Sequence, residues 1–355
     1  MRLLTAILFA LAVQSGPAQT RPFRMGFTLW PADLTAQGVQ MASDFAGKHG
    51  DLISVMFIGG LPWPEASAGQ PFSPDVQKAL AYRPPPGHKL FISISPLNEA
   101  RDGLAPYWGE HDNMHLPPEW TNLPFDDPKV EAAYLTVCRR FIDAIHPDYL
   151  AIGVELNVLL SKDPTKWVQL KTLYRQTYRA LKKTNPALPI FFTTDIGHYT
   201  GGAQESKGKD QKGEVADLMK DSDLFAMSFY PYGNLDFDEA TKPGFLSFAG
   251  SFHKPIAVSE SGMLTRDVTL PTYKTTLRGT VKQQEEFETF LLSQATKYRY
   301  RFVINFATTD FERLTARLTG PAAELATVWA YTGLQDSSAK PKPALAIWDR
   351  YLTGK

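Results

Sequence analysis

Short β-branched or aromatic runs alternate with longer amphipathic stretches along this 355-residue chain, and that order confines it to βαβ units around a parallel sheet. The pattern predicts strands over Arg24–Leu29, Leu52–Ile58, Lys89–Ser95, Tyr149–Glu155, Ile190–Thr194, Leu224–Tyr230, Ile256–Glu260 and Phe302–Phe306. Helical periodicity falls between them, over Asp33–Lys48, Ser73–Leu80, Pro128–Ile145, Pro164–Lys183, Gly213–Lys220, Asp238–Ala249 and Val281–Lys297, with Pro343–Leu352 closing the chain. Eight of each is the count of a single (β/α)8 TIM barrel, an α/β fold. No internal repeat, low-complexity tract or interdomain linker interrupts it, and Pro84-Pro85-Pro86 falls inside a strand connection.

Aspartates precede several predicted strands, as at Asp51, Asp148 and Asp223. Residues there belong to the barrel face associated with stability, so these acids are expected to shape turns. The long connections Pro96–Phe125, Gly197–Lys212 and Met263–Gly279 follow strands 3, 5 and 7 instead. Long βα loops lie on the face where barrel enzymes hold their sites.

Residues 1–18 read as a cleavable secretory signal: Arg2, an apolar run from Leu3 to Val13 too short to span a bilayer, then Gly16-Pro17-Ala18 before a cut at Gln19. A secreted or periplasmic barrel of residues 19–355 is the expectation, with no membrane attachment after processing. Cys138 is the sole cysteine, which excludes an internal disulfide; in a helical stretch it reads as a small core residue. Lys plus Arg equal Asp plus Glu at 37 each, without the basic stripe that a phosphate backbone demands, so nucleic acid is not an expected partner. The oligomeric state has no signature in the sequence.

Two predicted strands end in a glutamate, Glu155 in YLAIGVELN and Glu260 in KPIAVSESGM. Apolar residues before each mark the strand as core, so each carboxylate must be solvated, paired or employed. Roughly 105 residues separate them, three βα units, which places them on strands 4 and 7 of one rim. Retaining glycoside cleavage uses such a pair, one acid to protonate the leaving oxygen and one carboxylate to attack the anomeric carbon.

IGVEL at Ile152–Leu156, MSFYPYG at Met227–Gly233 and IAVSESG at Ile256–Gly262 together resemble the clan A glycoside hydrolases. Among its families, the family 53 endo-β-1,4-galactanases and family 113 β-mannanases look nearest. The resemblance extends over nearly the whole mature chain and implies Glu155 as acid/base, Glu260 as nucleophile and Tyr230 as a hydrogen-bond donor to it. It also implies a carbohydrate substrate and no cofactor. The chain departs from the clan pattern at Val154, where an asparagine usually precedes the acid/base, at Leu52–Gly60, which lacks an arginine, and at Asn305-Phe306, where a tryptophan is common. Asn157 is the expected stand-in for that asparagine.

Sugar faces pack on flat rings while their hydroxyls need polar neighbours. Trp30 and Trp63, each beside a proline at a strand end, are the favoured platforms, ahead of Trp108, Trp120 and Trp329, and Tyr230 and Tyr232 end strand 6. Asp195, His198, Asn157 and Asn305 complete the expected substrate-binding set. Glu65 reads as a first-turn helix acid. No HExxH, CxxC or strand 1 His-x-His occurs, so no metal is expected. The rival to a secreted retaining glycoside hydrolase is a non-catalytic carbohydrate-binding barrel on the same scaffold.

Overall fold

The computed structural model describes residues 21–318 and 324–354. The predicted signal lies outside the described residues. Among them, no helix is long and apolar enough to cross a membrane.

Eight parallel strands form the barrel: Arg24–Thr28, Leu52–Phe57, Lys89–Ile94, Tyr149–Ala151, Ile190–Asp195, Phe225–Phe229, Ile256–Ser261 and Phe302–Asn305. The fifth is broken at Phe192. Its first piece, Ile190–Phe191, pairs with the fourth strand and its second, Thr193–Asp195, pairs with the sixth, which closes the ring. The first strand bonds to both the second and the eighth.

Alternation along these strands fills the interior from its floor. Phe91, Phe191 and Phe302 stand together there, with ring centroids 5.2 Å apart for Phe91–Phe302 and 5.6 Å for Phe91–Phe191, and Leu52, Ala226 and Ala257 fill between them. Each buried phenylalanine contributes about 1.5–3 kcal/mol.

The aspartates before strands act as expected of the stability face. Asp51 accepts from Met25 N (2.9 Å), Asp148 from Leu90 N (2.9 Å) and Asp223 from Ile190 N (2.8 Å), so each ties its strand to a neighbour. Helices Pro128–Ile145 and Val281–Lys297 match their predicted spans, and Asp127 and Thr280 cap them by accepting from Lys129 N and Gln283 N. Cys138 is fully buried, as expected, and its thiol is pushed up to about 12 by burial.

Two elements depart from the periodic reading. The predicted helix Asp238–Ala249 is a short turn, Phe237–Ala240, followed by a 3₁₀ segment, Phe245–Phe252, because Gly244 between them sits at φ 91°. The fourth strand stops at Ala151, and Glu155 lies four residues beyond in an irregular turn leading to an unforeseen helix, Asn157–Lys162.

Candidate active site

That turn is built by borrowed partners. Past Ala151 the chain still bonds to the fifth strand, through Ile152 N to Phe191 O (2.9 Å) and Thr193 N to Gly153 O (2.9 Å). Val154 N donates to Ser95 Oγ (3.4 Å) and Glu155 N to Thr193 Oγ1 (2.8 Å). Gly153 lets the Leu156 side chain fold against the turn, since a Cβ there would lie 2.7 Å from it and that side chain would have to shift. Glu155 itself is left-handed, φ 51°, a conformation rare for a residue with a long side chain.

Glu260 reaches the mouth by a different device. Along the seventh strand Ala257 pairs with Ala226 and Val258 with Met227, but Ser228 pairs with Glu260, so Ser259 is an extra residue in a bulge. Its hydroxyl donates to Met227 O at 3.0 Å. Strict alternation from inward-facing Ala257 would turn Glu260 away from the interior. The bulge shifts the phase by one residue and brings the carboxylate to the inner side.

Each carboxylate accepts from a side-chain donor. Arg101 Nη2 donates to Glu155 Oε2 at 3.1 Å, and the Tyr230 hydroxyl donates to Glu260 Oε2 at 3.1 Å. Burial pushes the Glu155 carboxyl above its ordinary value, the Arg101 charge opposes that, and the charge of Asp195 adds to it. Glu260 is also pushed up, by burial first and then by the negative charge of Glu155, with Arg101 and Tyr230 opposing. The two groups therefore titrate as a unit that resists carrying two negative charges.

Arg101 had no place in the sequence reading, which sought an arginine near the second strand. It sits in the loop after the third strand, also left-handed at φ 55°. Both halves of this ion pair thus occupy a sparsely populated backbone region, which is held only where surroundings over-determine it. An arginine in the turn between Asn98 and Gly103, just past a barrel strand, was the available signal.

Of the expected substrate-binding residues, Tyr230 and Asp195 belong to the site. Trp30 lies at its edge, partly buried, with ring centroids 5.5 Å from Phe306 and 6.0 Å from Phe311. Trp329, which the sequence reading ranked lower, stands 6.1 Å from Tyr230 and 6.4 Å from Phe306, so it shares that aromatic wall. Its strand lies more than twenty residues upstream, and no local pattern ties it to the mouth.

Five expectations are corrected. Trp63 is a core residue, 0% exposed, with Nε1 donating to Ala105 O (2.9 Å) and its ring against Trp120. Asn157 is also 0% exposed: it accepts from Asp195 N (2.8 Å) and donates to Asp195 O (3.0 Å) and Gln211 Oε1 (3.1 Å). It clamps the fifth strand's end and takes no asparagine's place beside Val154. Asn305 is buried and donates to Ala307 O (2.9 Å). Tyr232 packs edge-on to Tyr230 with its hydroxyl buried.

His198 has both ring nitrogens engaged by carboxylates, Nδ1 with Asp195 Oδ1 (2.6 Å) and Nε2 with Glu205 Oε1 (2.8 Å), leaving none for a sugar. Burial is the largest single influence and lowers its pKa, but the two acids together outweigh it and raise the imidazole to about 8. Glu65 does sit in a helix's first turn, accepting from the Tyr107 hydroxyl at 2.5 Å.

A TIM barrel with two glutamates at one mouth, Glu155 just past its fourth strand and Glu260 at the end of its seventh, the second bonded by a tyrosine that follows the sixth, fits a clan A glycoside hydrolase. The sequence pattern of glycosyl hydrolase family 53 matches residues 107–306, more than half of the chain, and the chain belongs to that family. No curated protein matches it in sequence. Among solved structures it is similar to the GH5_18 protein of Streptomyces cattleya in complex with Manβ1-4GlcNAc: 14% identity, TM-score 0.64, covering 94% of this chain and 82% of that one. It is also similar to the GH5_18 protein of Bifidobacterium longum (13%, 0.63, 93% and 78%). A third is an exo-β-1,4-mannosidase from an Opitutaceae bacterium (15%, 0.60, 93% and 59%). These likenesses extend the barrel fold across almost the whole described chain.

Proposed function

We propose that this protein is a retaining β-glycosidase that works by double displacement, with Glu155 as acid/base and Glu260 as nucleophile. The observation that carries the reading is the placement of two partly buried glutamates at one barrel mouth, Glu155 bonded by Arg101 and Glu260 by Tyr230. In the first step Glu260 attacks the anomeric carbon as Glu155 gives its proton to the departing glycosidic oxygen. Glu155 then takes a proton from water, whose oxygen attacks the same carbon and frees Glu260. Tyr230 stabilises the Glu260 carboxylate when that oxygen is charged. Trp30 and Trp329 offer ring faces for the sugar.

β-1,4-Galactan is the first substrate class to test, since the family resemblance points there. β-Mannan is the second, because all three of these similar structures carry mannoside names or ligands. The test is a panel of galactan, mannan, xylan and β-glucan, with NMR of the anomer released. One polysaccharide should yield β-configured products at first, and Glu155→Gln or Glu260→Gln should abolish the release. Full activity in either variant on that substrate would overturn the assignment. Export by a leader ending near Ala18 belongs to the same reading, and N-terminal sequencing of protein recovered outside the cytoplasm tests it.

A further inference from the structure

The buried polar residues behind the mouth converge on one carboxylate, Asp195. Asn157 accepts from its backbone N (2.8 Å) and donates to its backbone O (3.0 Å). Asn157 is held in turn by Gln211, which also donates to Ser161 Oγ at 3.0 Å. His198 donates to Asp195 Oδ1 from its backbone N (2.7 Å), its ring Nδ1 lies 2.6 Å from the same oxygen, and Glu205 engages the far ring nitrogen at 2.8 Å. A satisfied buried network rigidifies what it holds, and this one leaves one oxygen of the acid unclaimed. Among the described residues no donor reaches Asp195 Oδ2, and the side chain is 20% exposed.

Asp195 stands in one row with Glu260. Across the fifth, sixth and seventh strands Asp195 pairs with Ser228 and Ser228 with Glu260, so the three side chains share the inner face. Two strand spacings, about 10 Å, part the two acids at the backbone, with only a serine between. Ser228 is 1% exposed, and its hydroxyl has no partner among the described residues. A buried hydroxyl calls for one, and Ala226, below it on the same strand, belongs to the apolar floor.

The charges at the mouth restrict what can lie there. The negative charge of Asp195 acts on both glutamates. The guanidinium beside them is spent: Arg101 Nη2 donates to Glu155 (3.1 Å) and Nη1 to the carbonyls of Asn98 (3.2 Å) and Glu99 (3.0 Å), while Nε is buried. Lys162 and Lys166 donate to the carbonyls of Ala100 and Asp102, and His198 is held between Asp195 and Glu205. A sugar carboxylate placed between Asp195 and Glu260 would meet like charge with no free cation from these residues, whereas a sugar hydroxyl can donate to Oδ2.

We propose that Asp195 is a specificity-determining residue: its Oδ2 accepts from a hydroxyl of the sugar lodged between it and Glu260, and its charge turns uronic acids away, so that the site takes neutral pyranosides. Asn157, Gln211, His198 and Glu205 are the mount that aims it. The inference rests on the reading of Glu155 and Glu260 as the catalytic pair.

The test takes a 4-nitrophenyl β-glycoside that the enzyme cleaves, its monodeoxy forms and the 4-nitrophenyl uronide of the same sugar, and measures kcat/KM for each. In the wild type one monodeoxy form should lose roughly ten- to a hundredfold, and the uronide roughly a hundredfold or more. Asp195→Ala should lose a similar factor on the parent glycoside and nothing further on that monodeoxy form. Asp195→Asn keeps the shape without the charge and should bring the uronide closer to the parent. Wild type that cleaves the uronide as well as the parent overturns the proposal with no variant needed. Parent kinetics unchanged in Asp195→Ala, or a deoxy loss that recurs there in full, would reduce Asp195 to a strand-end brace. Hydrolysis surviving in Glu155→Gln or Glu260→Gln would defeat the assignment of the pair instead, whatever the Asp195 variants show.

Discussion

Replacing Glu288 with glutamine should stabilise the protein at neutral pH and leave it unchanged in acid. Glu288 lies in the helix Val281–Lys297, 0% exposed, with neither carboxylate oxygen hydrogen-bonded, and burial pushes its pKa from 4.5 up to about 8. Below pH 4.5 the group is protonated in folded and unfolded chains alike and its ionisation costs nothing. Above that, the unfolded chain releases the proton while the folded chain keeps it, so stability falls by about 1.4 kcal/mol per pH unit until the folded group titrates near pH 8. At pH 7 the accumulated loss is roughly 3 kcal/mol, which for a domain of this size is about 5 °C in Tm. Glutamine fills the same space without ionising, so the difference in Tm between variant and wild type should be near zero at pH 4 and largest at pH 8. Thermal melts followed by circular dichroism across that range measure it. A difference that is flat with pH would mean Glu288 has a partner or solvent access, and the linkage argument would fail.

His198 carries the opposite sign. Raised to about 8 between Asp195 and Glu205, it contributes stability that is fully present below pH 6.5 and lost as pH rises through 8, about 2 kcal/mol in all; the advantage of wild type over His198→Gln should shrink accordingly between pH 6 and pH 9. Trp63→Ala should cost about 3–5 kcal/mol in urea unfolding, because a fully buried indole is removed, whereas Trp329→Ala should weaken substrate binding at a much smaller cost in stability. Equal behaviour of the two would restore Trp63 as a platform. Tyr230→Phe removes the one donor to Glu260 among the described residues and should lower kcat/KM roughly ten- to a hundredfold with little change in Tm; wild-type kinetics would remove Tyr230 from the mechanism.

The barrel was legible because strand and helix periods alternate cleanly, and the strand-leading aspartates follow from position alone. The two glutamates were legible too, but not how they are presented. Glu155 was expected at the end of a strand and stands in a left-handed turn held by Thr193, with Leu156 folded against Gly153. Glu260 faces inward only because Ser259 bulges, and no residue type announces a bulge there. Polar residues at strand ends were over-read as ligands: Asn157, Asn305 and His198 spend their hydrogen bonds on backbone or on neighbouring acids, which a sequence does not display. Arg101 and Trp329 come from loops whose return to the mouth depends on tertiary contacts.

The roles of the two glutamates are tested most directly by azide rescue. Glu260→Gly and Glu155→Ala are each given an activated 2,4-dinitrophenyl β-glycoside of the sugar the enzyme accepts, with sodium azide, and the configuration of the glycosyl azide is read by NMR. A nucleophile removed at Glu260 lets azide attack the anomeric carbon from the vacated face, so Glu260→Gly should give the α-azide. An acid/base removed at Glu155 leaves the glycosyl-enzyme to be opened by azide, so Glu155→Ala should give the β-azide. The reverse pairing of products would exchange the two roles, and no rescue of either variant would contradict double displacement at this site.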